Sequence, residues 1–291
     1  MRKRNLLFVS IVGALLLSWA AVWLAGSVLS APFNQSVGEL PADLRSGRAV
    51  EFASASGARV RGWLVPGVPG AGAVALMHGV QANRLSMLGR ARFLQRAGYT
   101  VLLFDFQAHG ETAGEHITFG YLESRDARAA VEFLRVAAPG ERVGVIGVSM
   151  GGAATLLAAP PVEADAMIFE MVYPTITQAV VNRLTMRLGG WGGALTPLLS
   201  AQFKLKLGVG AEQLRPIDKV TEINAPKLFI VGAEDRHTTL AESQALFAAA
   251  REPKELWAVS GAAHVDLHAA ARAEYERRVL QFLAPYLRKN R

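Results

Sequence analysis

Along most of the chain, the pattern of apolar and polar positions changes back and forth between one typical of strands and one typical of helices. From residue 49 onward, short apolar runs recur between stretches whose apolar residues repeat at helical spacing. The runs predict strands at 49–54, 59–65, 73–77, 100–104, 143–148, 164–169, 227–231 and 255–259. The helical stretches are 83–97, 121–137, 240–251 and 265–287. This order predicts an α/β protein with a mostly parallel sheet covered by helices on both faces.

One interval interrupts this alternation. Between the strands at 164–169 and 227–231, residues 174–215 contain apolar-rich helical stretches on either side of the glycine-rich run 189–193. An insertion of this size on an α/β sheet favours a small helical cap over a site at the end of the sheet. Two surface helices with no role in substrate choice are the alternative.

The N-terminal segment has a separate pattern. Residues 2–4 are basic and precede residues 6–31, which carry no charged side chain and are long enough to cross a bilayer as a helix. Because signal peptides have apolar cores of about 7 to 15 residues, this length favours an uncleaved anchor over a peptide cleaved near 28–31. The basic start then places the rest of the chain on the extracytoplasmic side of the membrane.

The domain prediction follows from these segments. Residues 1–31 are a transmembrane anchor or signal peptide, and residues 32–48, which contain prolines and glycines, are a linker. Residues 49–288 form one folded domain that includes the cap. The chain has a formal net charge of +7, but its basic residues are scattered and do not interleave with aromatic residues, which argues against a nucleic-acid partner and favours an anionic membrane surface. It has no cysteine, which excludes disulfides, thiolate metal sites and cysteine nucleophiles.

The strongest chemical signal lies where the strand at 143–148 meets a run of small residues. There Ser149 stands between Gly147 and Gly151 in the G-x-S-x-G spacing, in which a strained strand-to-helix turn lifts a serine hydroxyl clear of the sheet. Met150 begins the next helix, where its N–H group and the helix dipole both stabilise an oxyanion. We therefore expect Ser149 to be a nucleophile and Met150 to supply one oxyanion donor.

A serine nucleophile needs a base that is itself oriented by an acid. Asp235 follows the strand at 227–231 and His264 follows the strand at 255–259, so both lie at carboxyl ends of strands, where such sheets place their sites. These positions predict His264 as the base and Asp235 as the acid. The adjacent Glu234 is the rival acid.

The loop after the strand at 73–77 is the expected source of the second oxyanion donor. It places the N–H of Val80 beside that of Met150, with Gly79 allowing close approach and His78 fixing the loop by hydrogen bonding. A metal shared by His264, Asp266 and His268 is disfavoured, because the helical H-E-x-x-H spacing is absent and a triad explains His264 better. No metal and no cofactor are predicted.

These motifs together resemble the α/β-hydrolase superfamily, in the serine-hydrolase branch with monoacylglycerol-lipase-like and serine-aminopeptidase-like members. The resemblance covers about residues 49–288 and rests, in chain order, on His78-Gly79, 105–110, 147–152, 232–235 and His264. It implies the α/β-hydrolase fold with an eight-stranded sheet and an esterase-type triad of Ser149, Asp235 and His264. The chain departs from it at Gln107-Ala108, where many relatives carry Arg-Gly.

We therefore expect a serine hydrolase that cleaves a carboxylic ester, or a thioester or amide, through an acyl-enzyme. The resemblance gives no substrate, because this fold hosts many activities. The expected partners are a small-molecule or lipid-like ester and the membrane, bound through the N-terminal helix. The alternative is a non-catalytic protein of the same fold that binds a lipid or protein partner at the membrane.

Overall fold

The computed structural model describes Gly13, residues 19–44 and residues 46–289. Its main sheet has eight strands in the spatial order β10-β9-β8-β7-β4-β5-β3-β2, which confirms an α/β-hydrolase fold with a mostly parallel sheet. The β2–β3 and β3–β5 pairs are antiparallel and the other pairs are parallel. The strands are β1 (Phe33–Asn34), β2 (Arg48–Ala53), β3 (Arg59–Val65), β4 (Ala73–Met77), β5 (Thr100–Phe104), β6 (His109–Gly110), β7 (Val143–Val148), β8 (Ala166–Glu170), β9 (Lys227–Gly232) and β10 (Lys254–Val259).

Helices cover both faces of this sheet. They are α1 (residues 19–29), α2 (Leu88–Arg96), α3 (Glu123–Ala137), α4 (Met150–Leu157), α5 (Ile176–Leu188), α6 (Thr196–Leu207), α7 (Pro216–Lys219), α8 (Leu240–Ala249), α9 (Leu267–Ala270) and α10 (Arg272–Leu287). In β8, Met167 and Phe169 enter one apolar core while Ala166 and Ile168 enter the other. Successive side chains of a strand point to opposite faces, so a strand buried on both sides is apolar throughout.

Two predicted helices are divided in the structure. The stretch predicted as a helix at 83–97 starts as a 3₁₀ turn, Arg84–Met87, which the Asn83 side chain caps by accepting a hydrogen bond from the Leu85 N–H at 3.0 Å. The stretch at 265–287 is split into α9 and α10. Asp266 caps the first of these by accepting from the His268 N–H at 3.1 Å.

The segment predicted as a linker, residues 32–48, packs in part against the catalytic body. Its first residues form β1, which pairs in parallel with β6 in a separate two-stranded sheet. Val37 and Leu44 are buried in the core beneath α2 and α10. Hydropathy and turn residues predicted a spacer because a two-residue strand has too few positions to show a pattern.

The predicted transmembrane helix is not supported by the part of the chain that the structure describes. Across Gly13, residues 19–44 and residues 46–289, no helix has both the length and the apolar character needed to cross a membrane. Residues 1–12 and 14–18, which make up much of the predicted anchor, lie outside the described residues. The anchor therefore stays a prediction.

Candidate active site

Ser149 occupies a sharp turn between β7 and α4. Its backbone has φ 49° and ψ −111°, a conformation that a residue with a side chain rarely adopts. A β-carbon on Gly147 would lie 2.7 Å from Gly152, and one on Gly151 would collide with the Met77 carbonyl oxygen. The turn therefore needs glycine at both flanking positions, and it carries the backbone strain typical of functional sites.

Asp235 and His264 form a hydrogen-bonded pair after β9 and β10. His264 Nδ1 lies 2.7 Å from Asp235 Oδ2, and Asp235 Oδ1 accepts from the N–H groups of His237 at 2.7 Å and Thr238 at 2.9 Å. The Asp235 side chain is 1% exposed, whereas Glu234 lies in solvent. With Nδ1 donating to the carboxylate, Nε2 of His264 is the nitrogen that can accept a proton.

The loop after β4 runs directly against the serine turn. The position of a β-carbon on Gly79 lies 3.7 Å from the Ser149 β-carbon, so the two backbones approach closely. His78 Nδ1 donates to the Gly79 carbonyl at 2.7 Å, and its Nε2 accepts from the Phe106 N–H at 3.1 Å. Complete burial lowers the pKa of His78 to about 3, with His109 adding to the effect, so the ring is neutral and fixes the loop.

These elements open onto one cavity of about 630 Å³. Ser149 and His264 line it together with Gly79, Val80 and Met150, so every predicted site residue lies either on the cavity wall or, like Asp235 and His78, behind a residue that does. Its volume falls in the range of small-molecule sites. The two helices of the predicted cap, α5 and α6, supply eight of the apolar residues that line it, which are Ile176, Ala179, Val180, Leu184, Met186, Leu199, Phe203 and Leu207.

The N-terminal helix α1 forms a further wall of this cavity. Leu29 near its end lines the cavity, together with the neighbouring Ala25, Gly26 and Ser30. Two side chains of the cap hold the helix in place. Gln202 Nε2 donates to the Val22 carbonyl at 3.0 Å, and Lys206 Nζ donates to the Trp23 carbonyl at 2.6 Å and lies 4.1 Å from the centre of the Trp23 ring. The sequence patterns did not predict this contact.

A charge network at the cavity wall was also not predicted. Arg90 donates to both carboxylate oxygens of Glu170 at 2.8 and 2.6 Å and pairs with Asp266 at 2.9 Å. The Glu170 carbonyl accepts from the Ser149 N–H at 2.7 Å, and Asp266 lies two residues beyond His264. Arg90 therefore ties the serine turn to the loop that carries the histidine, and a buried cation with two carboxylate partners rigidifies both.

Gln107 and Ala108, at which the chain departs from the α/β-hydrolase motif, lie in a loop with its own hydrogen bonds. Gln107 Nε2 donates to Glu123 Oε1 at 2.6 Å and to the His116 carbonyl at 2.8 Å, while Ala108 adopts a left-handed φ of 57°. The neighbouring His109 is buried and donates from Nδ1 to the Gln107 carbonyl at 2.8 Å. This loop therefore supports the site without reaching the cavity.

His268 is engaged away from His264. Its Nε2 lies 2.9 Å from Glu276 Oε1, and its side chain is buried against Phe93. Within the described part of the chain, no three histidine, aspartate or glutamate side chains come close enough together to hold a metal ion.

Comparison with known proteins gives a family match over part of the chain and a shared fold. Residues 69–208 match a family model described as serine aminopeptidase, S33. The chain is similar to uncharacterized protein YqkD of Bacillus subtilis (strain 168), with 27% identity over 236 residues that cover 79% of this chain and 77% of that protein. It is also similar to alpha/beta hydrolase domain-containing protein WAV2 of Arabidopsis thaliana, with 27% identity over 250 residues that cover 82% and 79% of the two chains.

Among solved structures, the esterase PF2001 of Pyrococcus furiosus has the same fold. The TM-score is 0.73 at 24% identity, and the match covers 89% of this chain and 98% of that one. The family match includes Ser149 and the loop at Val80 but ends before Asp235 and His264, whose assignment rests on their geometry. From the sheet topology, the matched family model and these relatives, the chain is an α/β-hydrolase enzyme.

Proposed function

We propose that this enzyme is a serine hydrolase that cleaves a carboxylic ester through an acyl-enzyme. The observation that carries the proposal is the His264–Asp235 hydrogen bond of 2.7 Å at the same cavity as the strained Ser149. A protein that only binds a ligand needs no strained serine and no histidine oriented by a buried carboxylate. Both features are those of an activated nucleophile.

The proposed mechanism uses residues that surround the cavity. His264 Nε2 takes the proton of the Ser149 hydroxyl as Oγ attacks the ester carbonyl carbon, and Asp235 stabilises the resulting imidazolium. The N–H groups of Val80 and Met150 stabilise the oxyanion of the tetrahedral intermediate. His264 then gives its proton to the departing alcohol, and a water molecule activated by the same histidine hydrolyses the acyl-enzyme.

The charges around the cavity favour an ester over the N-terminal peptide bond that the family description would suggest. An aminopeptidase must hold a substrate ammonium group, and a carboxylate is the natural partner for that group. Among the described residues that line the cavity, Asp266 is the one acidic side chain, and it is paired with Arg90. Arg183, Arg187 and Lys206 also line it, so the cavity is cationic.

Labelling with a fluorophosphonate tests the proposal directly, because the probe reacts with an activated serine. We expect the protein to be labelled and to hydrolyse p-nitrophenyl esters across a panel of acyl chain lengths. A folded protein that took no label and hydrolysed no ester would support the non-catalytic alternative instead.

The position of α1 at the cavity wall leads us to predict that it limits the length of the substrate acyl chain. Replacement of Leu29 by tryptophan fills the cavity from that wall, so kcat/KM for a decanoyl ester should fall roughly tenfold relative to an acetyl ester, on the order of one or two methylene groups of lost binding. Leu24→Trp is the matched control, since Leu24 lies on the same helix, is 64% exposed and does not line the cavity. Identical chain-length profiles for the two variants would show that α1 does not limit the acyl group.

We further propose that the chain is a single-pass membrane protein whose catalytic domain lies on the extracytoplasmic side. Residues 6–31 carry no charge, and α1 leaves Trp19, Leu24 and Val28 exposed. On the adjacent α6, Leu198 and Leu205 are also exposed. Exposed apolar side chains on neighbouring helices are typical of a surface that meets lipid. A lipid-like acyl ester would then reach the cavity from the membrane face.

Deletion of residues 1–18 tests the anchor while keeping the described part of α1. The full chain should sediment with membranes and stay there in high salt, since an apolar span does not depend on ionic contacts. The shortened chain should move to the soluble fraction and keep its activity on short esters. Recovery of the full chain in the soluble fraction would refute the anchor, and an N-terminus at residue 32 would show a cleaved signal peptide.

A further inference from the structure

Two arginines on the cap face the cavity without an acidic partner. Arg183 and Arg187 lie one turn apart on α5, and both line the cavity that contains Ser149. Arg183 Nη1 donates to the Ala179 carbonyl of its own helix at 3.1 Å. Among the residues that the structure describes, no carboxylate forms an ion pair with either guanidinium. By contrast, Arg90, which also lines the cavity, has two carboxylate partners.

This arrangement of two arginines without a carboxylate partner is unfavourable by itself. Two like charges at a spacing of four residues on a helix repel each other, and a guanidinium that is partly removed from water loses hydration without gaining a counter-charge. Burial lowers the pKa of Arg183, although Tyr173 and Asp235 act in the opposite direction. An anion placed between the two side chains would relieve both costs.

The positive charge lies close to the reacting groups. The His237 ring lies 5.1 Å from the His264 ring, centre to centre. Burial lowers the pKa of His237, and the positive charge of Arg183 lowers it further. The cap helix also contacts this loop directly, since Asn182 Nδ2 donates to the His237 carbonyl at 3.1 Å. Arg183 therefore carries its charge to the catalytic end of the cavity.

We propose that Arg183 and Arg187 form a subsite for an anionic group carried by the ester substrate. This inference rests on the proposed function and narrows its substrate class to amphiphilic acyl esters that bear a carboxylate or a phosphate. The apolar cap residues hold the hydrocarbon chain, and the guanidinium groups bind the anion through paired hydrogen bonds. The two anions share this chemistry, and separate substrate pairs distinguish them.

The test compares anionic and neutral esters that differ only in the presence of the anionic group, in the full-length protein. The phosphate pair is octanoyl-glycerol phosphate and octanoyl-glycerol, and the carboxylate pair is the mono-p-nitrophenyl ester of glutaric acid and p-nitrophenyl butyrate. We expect the parent enzyme to prefer the anionic member of at least one pair in kcat/KM. Arg183→Gln should lower the anionic-to-neutral ratio for that pair about 10- to 100-fold, as for loss of a charge-assisted hydrogen bond. Arg183→Lys should lower it less.

Arg272→Gln is the control for a simple change in net charge, because Arg272 is exposed on α10 and does not line the cavity. This variant should keep the anionic-to-neutral ratio of kcat/KM of the parent enzyme. Equal preference for anionic and neutral esters in the parent, or an Arg183→Gln variant with an unchanged ratio, would refute the subsite while fluorophosphonate labelling upheld the hydrolase. Absence of labelling and of all ester hydrolysis in the parent would refute the hydrolase and the subsite with it.

Discussion

Replacement of Ser149 by alanine is expected to lower kcat for ester hydrolysis by about 10⁴-fold or more and to abolish fluorophosphonate labelling. The substitution removes the attacking oxygen, and His264 and Asp235 have no other hydroxyl to activate at the turn. Members of a triad act as a unit, so the loss should approach that of removing all three. Steady-state kinetics on a short, soluble p-nitrophenyl ester measure the effect.

A control is available within the same cavity. Ser86 also lines the cavity, but its hydroxyl donates to the Asn83 carbonyl at 2.8 Å and belongs to the 3₁₀ turn before α2. Ser86→Ala should therefore keep most of the turnover and all of the labelling. The unfolding transition of Ser149→Ala should match the parent, since alanine fits the space of serine. Undiminished turnover in a folded Ser149→Ala protein would overturn the assignment of the nucleophile.

The strands that build the site were predictable because they are buried on both faces. The expected bounds of β4, β5 and β7 are those of the structure, and each is a continuous apolar run that ends at a turn. A parallel sheet brings the carboxyl ends of such strands to one edge. The positions of Ser149 and His264 in sequence, each just after a strand, were therefore sufficient to expect them at one site.

The cavity walls were not predictable from the same patterns. Hydropathy measures how apolar a segment is, and an uncharged helix that packs on a cap has the same pattern as one that meets lipid. The contacts of α1 with Gln202 and Lys206 join parts of the chain about 180 residues apart. Those of Arg90 with Glu170 join residues that are 80 positions apart. No local periodicity encodes which distant surface a segment covers.

The acid of the proposed triad could not be identified from local sequence patterns either. Asp235 and Glu234 are adjacent carboxylates after β9, so spacing alone left both as candidates. The structure separates them by burial and by hydrogen bonds, since Asp235 is enclosed and contacts His264 while Glu234 faces solvent. Extended backbone points successive side chains in opposite directions, so one of two neighbours can face the histidine and the other cannot.

Replacement of Asp235 by asparagine should accordingly lower kcat by about 10⁴-fold, whereas Glu234→Gln should stay close to the parent. The asparagine side-chain oxygen would still accept hydrogen bonds from the N–H groups of His237 and Thr238. The NH₂ group of the asparagine would therefore turn toward His264.

An amide donor at that position forces Nδ1 of His264 to be the acceptor and moves the ring proton to Nε2. A protonated Nε2 cannot take the proton of Ser149, so the loss should appear in kcat with little change in KM or in the unfolding transition. A large loss in Glu234→Gln together with near-parent turnover in Asp235→Asn would reassign the acid, because the imidazole would then be oriented by the exposed carboxylate.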